Sequence, residues 1–88
     1  MDALTKAGVN AGLSEPMAKL LALQTVYGSA YMAIESNESL EQLRKNVTSP
    51  GGTTEAALRV FMKDDVLDKL VNDAVSTAQK RSKELSQA

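Results

Sequence analysis

The sequence predicts an all-α chain of about five helices that shares a core with a second copy of itself, and three observations carry that expectation. Apolar residues recur at helical spacing along the whole chain, and no stretch alternates strictly enough to suggest a strand. The uncharged run Leu20–Ile34 has large residues on one side and small ones on the other. A chain of 88 residues is also too short to cover such a helix on every side.

Taken in order, Met1 to Ala7 reads as a helix stopped by Gly8, with Gly12 in the linker that follows. Ser14 is a good N-cap, Glu15 and Pro16 suit a first turn, and the helix they open runs to about Glu35. Ser39 and Gln42 have the spacing of a capping box for a short helix to about Lys45. Thr53 or Thr54 caps a fourth helix to about Met62. Asp64 or Asp65 opens a fifth that reaches Leu85, with Lys80, Arg81 and Lys83 suited to its negative end.

The second helix is the most informative. At 100° per residue, Leu20, Leu23, Tyr27, Ala30, Tyr31 and Ile34 share one face, while Ala22, Thr25, Gly28, Ser29 and Ala33 share the opposite one. Neither face is charged, so both want cover, and the small face allows a close backbone approach. The helix is about 31 Å long at 1.5 Å per residue. Two short helices and one long one cannot enclose it, which implies a homodimer or higher homo-oligomer with the second helices in a shared core. The fifth helix is one-sided, with Val66, Leu67, Leu70, Val71, Ala74, Val75 and Ala78 opposite Asp68, Lys69, Asn72, Ser76 and Gln79. Arg81 lies near its apolar edge, either solvated or facing a charge on another chain.

Composition removes whole classes of function. With 10 basic and 11 acidic residues spread along the chain, the net charge of −1 offers no field for nucleic acid. No cysteine and no histidine are present, so thiolate nucleophiles, imidazole bases and a Cys/His metal site are absent from these residues. The 15 uncharged residues Leu20–Ile34 fall short of the roughly 20 that span a bilayer, so no membrane is expected. No apolar segment near Met1 resembles a signal peptide. A soluble, cytoplasmic protein is the expectation.

One loop departs from this pattern: TSPGGTTEAAL, residues 48–58. Pro50 fixes φ, Gly51 and Gly52 turn freely, and a helix start follows at once. Such a start has unpaired amide hydrogens and the positive end of the helix dipole, and glycines beside it admit a ligand to the backbone. The motif is either a plain turn between helices or an anion-binding loop.

The order of AGVNAGL (7–13), LALQTVYGSAYM (21–32), VTSPGGTTEAAL (47–58) and AQKRSKEL (78–85) closely resembles the C-terminal dimerisation domain of pyrroline-5-carboxylate reductase, over nearly the whole chain. The resemblance implies an enzyme that reduces the C=N bond of pyrroline-5-carboxylate to give proline, with hydride from NADPH or NADH. It implies that residues 1–88 are a helical dimerisation and substrate-loop domain. The loop from Val47 to Thr54 would hold the substrate carboxylate, through the amides of Gly52, Thr53 and Thr54 and the hydroxyls of Ser49 and Thr54. Thr54 would lie nearest the ring nitrogen. The sequence departs from the whole enzyme's pattern in one respect, since no strand leads into a Gly-x-Gly-x-x-Gly turn and no Rossmann domain is present. These residues alone are therefore expected to be inactive, as a fragment or excised domain would be. The alternative is a small helical homodimerisation module without catalytic activity, which accounts for the helices but leaves the Pro-Gly-Gly-Thr-Thr run as no more than a turn.

Overall fold

Helical periodicity is realised throughout. The computed structural model, which describes residues 1–87, contains α1 (Asp2–Asn10), α2 (Glu15–Glu35), α3 (Leu40–Asn46), α4 (Thr53–Met62) and α5 (Val66–Ser86), with a 3-10 turn at Lys63–Asp65. The chain divides into two compact units, Met1–Lys45 and Asn46–Ala88.

In the first unit α1 packs against the small-residue face of α2. Ala18 and Ala22, each 3% exposed, are the buried apolar residues. Gly8 does not stop α1, contrary to the expectation. The helix continues through it to Asn10, with Ala11 as C-cap and the chain reversing at Gly12, whose φ is 109°. The reason is packing: a Cβ on Gly8 would stand 3.1 Å from the Ala18 Cβ and 3.5 Å from Leu13 Cδ1. Glycine here is a close-approach residue inside a helix, and tertiary contact overrides its poor propensity. Gly8→Val should therefore destabilise the protein by typically 1 to 3 kcal/mol through overpacking. Urea denaturation checks this; a gain in stability, from better helix propensity, would return Gly8 to the role of a stop signal.

Ser14 caps α2 as expected, its hydroxyl accepting the Met17 amide at 3.4 Å, with Pro16 in the first turn. Ser39 accepts the Gln42 amide at 3.0 Å at the start of α3. On the surface of that helix Lys45 lies 3.1 Å from Glu41, and its hydrogen bond and charge hold the Glu41 carboxyl below its ordinary pKa.

Beyond the crossing with α1, α2 has little cover within its unit. Tyr27 and Tyr31 stack with ring centroids 6.3 Å apart on its large-residue face, where they stay exposed together with Leu20, Leu23 and Ile34. The backbone at Gly28 faces open space. In the second unit α4 packs on α5, whose apolar stripe Val66, Leu67, Leu70, Val71 and Val75 is exposed. Arg81 pairs with Glu84 at 3.1 Å within its own helix. No helix among the described residues is long and apolar enough to cross a membrane.

Candidate functional site

The loop between α3 and α4 is a type II turn by its own geometry. The Gly52 amide donates to the Ser49 carbonyl at 3.0 Å, Pro50 occupies the second position, and Gly51 the third with φ of 73°. Gly52 has an ordinary φ of −85° and is needed for a different reason. A Cβ there would stand 3.1 Å from the Ser49 carbonyl oxygen and 3.4 Å from the Ser49 Cβ. The two adjacent glycines thus do separate jobs, one supplying positive φ and the other clearance.

This turn delivers the chain into α4 with Gly52 as N-cap, which corrects the expectation that Thr53 or Thr54 would cap. Thr53 is instead the first helical residue and Thr54 the second, and no side chain bonds the helix end. The cause is the turn itself, since closing it on Gly52 already sets the helical exit and the Ala56 amide reaches back to the Gly52 carbonyl at 3.2 Å. The amides of Thr53, Thr54 and Glu55 consequently have no hydrogen-bond partner among the described residues. These are the open donors of a helix N-terminus, with the positive end of the dipole behind them.

The sequence-predicted residues are therefore distributed as follows. Thr53 and Thr54 present open amides, while the Gly52 amide is already engaged within the turn. Thr54 is half-buried and its hydroxyl has no partner, whereas Val47, Ser49 and Thr53 are exposed. The Glu55 amide was missed. It follows from counting three open amides after Gly52, but only once Gly52 is known to be the cap. The Glu55 carboxylate would oppose an anion here, and it is drawn one turn along α4 by its ion pair with Arg59. The arrangement suits a small carboxylate or similar anion, taking two or three amide hydrogens and the Thr54 hydroxyl.

The residues present do not fit a dinucleotide. Among those described there is no strand, and the sequence has no Gly-x-Gly-x-x-Gly turn. No group of three acidic residues is gathered as a metal site among them either.

Comparison with known proteins gives a consistent picture. Residues 1–85 match the family described as pyrroline-5-carboxylate reductase dimerisation. The pyrroline-5-carboxylate reductase of Pseudomonas aeruginosa is 45% identical over 87 residues, covering 99% of this chain and 32% of that protein. The solved structure of a pyrroline-5-carboxylate reductase from Coxiella burnetii superposes with a TM-score of 0.88 at 46% identity, over 96% of this chain and 31% of that one. The Plasmodium falciparum enzyme, solved with NADP bound, gives a TM-score of 0.87 at 39% identity, over 93% of this chain and 32% of that one. The chain thus spans about a third of the length of the relatives it matches.

Proposed function

Because the chain belongs to the pyrroline-5-carboxylate reductase dimerisation family, we propose that it serves a reductase which converts pyrroline-5-carboxylate to proline, as the part that joins subunits and holds the substrate carboxylate. The match over residues 1–85 carries this reading and favours it over a dimerisation module without chemistry.

The joining role rests on what the chain leaves uncovered. In the first unit α2 leaves its large-residue face open, and in the second α5 leaves its apolar stripe open. Leu20, Leu23, Tyr27 and Ile34 on α2, with the stripe of α5, are the surface for a second copy, so the assembly is a homodimer or a higher homo-oligomer. A cytoplasmic location accords with this reading.

The holding role falls to the loop. The amides of Thr53, Thr54 and Glu55 bind the carboxylate, the turn fixes their direction before the ligand arrives, and the Thr54 hydroxyl adds a hydrogen bond on the side of the ring nitrogen. With no histidine in the chain, the contribution of these residues is orientation rather than proton transfer through an imidazole. Hydride comes from NADPH or NADH, held by residues other than these 88. The purified 88-residue chain is accordingly expected to leave NADPH unoxidised in the presence of pyrroline-5-carboxylate, while a reductase containing it turns over. Cofactor oxidation that scales with the concentration of the 88-residue chain and requires the imine would contradict this division of labour.

A further inference from the structure

At the junction between α4 and α5 the backbone runs against its side chains. Asp64 and Asp65 are adjacent and both left-handed, with φ of 54° and 56°. Side chains disfavour that region, although aspartate tolerates it better than most. Among the described residues, no hydrogen bond or ion pair involves either carboxylate. Asp65 stands at the N-cap position of α5 yet makes no cap bond, because a capping residue needs extended backbone rather than a left-handed one. Moreover, neither glycine nor proline occurs anywhere after Gly52. The segment therefore has neither of the two residues that break a helix most strongly, and only the aspartates mark a boundary.

We infer that the Lys63–Asp65 junction is a two-state hinge, whose competing state is a single continuous helix from Thr53 to Ser86. The bent state is favoured by charge: Asp64, Asp65 and Asp68 all cluster at the positive end of α5. Straightening removes that helix end and leaves Asp64 and Asp68 four apart on one face, a mild repulsion. The straight state is favoured by backbone strain and by pattern. At 100° per residue a continuous helix aligns Ala56 and Val60 with Leu67, Leu70, Ala74 and Ala78 in one apolar stripe, broken by Lys63 alone. In the bent state Val60 is 73% exposed. Because α4 begins at the carboxylate loop, the hinge also sets the direction of that loop relative to α5; this last consequence rests on the function proposed above, whereas the hinge does not.

The chain has no cysteine, so nitroxide labels at Arg59→Cys and Lys83→Cys are unambiguous. A continuous helix separates these positions by about 36 Å, at 1.5 Å per residue, and any bend shortens the distance. Labelled protein diluted into an excess of unlabelled chain reports this distance within one subunit. Asp64→Ala with Asp65→Ala, which removes both the tolerance of left-handed backbone and the charge, should bring up a component at about 36 Å. Asp64→Gly with Asp65→Gly should remove that component, and molar salt applied to the unsubstituted junction should increase it by screening the dipole. A distance distribution that is the same in the alanine and glycine pairs and indifferent to salt would overturn the inference and make the junction a fixed turn.

Discussion

Tyr27→Asp is expected to abolish assembly and, with it, most of the helical signal of the protein. Tyr27 is 68% exposed on the isolated chain and stacks on Tyr31 in the middle of α2. If that face met only water, the substitution would act at an ordinary helix surface and change stability by about 0.5 kcal/mol or less. If the face is buried against a second copy, each chain places an unpaired carboxylate in an apolar contact. That costs about 3 kcal/mol or more per copy, so a dimer is weakened roughly 10⁴-fold. The two cases differ so widely that gel filtration and circular dichroism on one variant separate them. The loss of helicity follows because Ala18 and Ala22, the buried apolar residues, cannot offset the conformational entropy of ordering five helices.

The second large effect concerns the loop, in a reductase that contains it. Thr54→Val keeps the shape of the side chain and removes its hydroxyl. Because Gly52 rather than Thr54 is the N-cap, this substitution takes no cap from α4, and its expected cost in melting temperature is small. A ligand carboxylate or ring nitrogen that loses the hydroxyl loses a hydrogen bond involving a charged group, about 1.5 to 3 kcal/mol, or roughly 10 to 150-fold in kcat/KM. Measuring melting temperature and kinetics on the same variant tests the assignment. Normal kinetics with any loss confined to stability would reduce the loop to a turn.

Much of the fold was legible because its signals are local. Ser14 with Pro16, Ser39 three residues before Gln42, and the Asp pair before α5 each marked a helix start that the structure has. What misled was glycine, whose sequence signal is the same for three different physical roles. Gly8 was read as a stop because a helix stop and a close helix crossing both favour the residue without a Cβ. Only the 3.1 Å approach to Ala18 distinguishes them. Gly51 and Gly52 looked equivalent, yet one carries positive φ and the other clearance from Ser49. That difference moved the cap from the threonines to Gly52, left the threonine amides open, and added Glu55 to the candidate donors. The junction at Asp64 and Asp65 was visible as a helix boundary, but nothing in two aspartates announces left-handed backbone.

The central claim is that these helices are half of a fold completed by a second copy, and sedimentation equilibrium of the 88-residue chain at micromolar concentration tests it most directly. The account predicts a mass of two or more times 9.4 kDa, with helicity that falls as the protein is diluted and the assembly dissociates. A monomer that keeps its full helical signal at every concentration would contradict it.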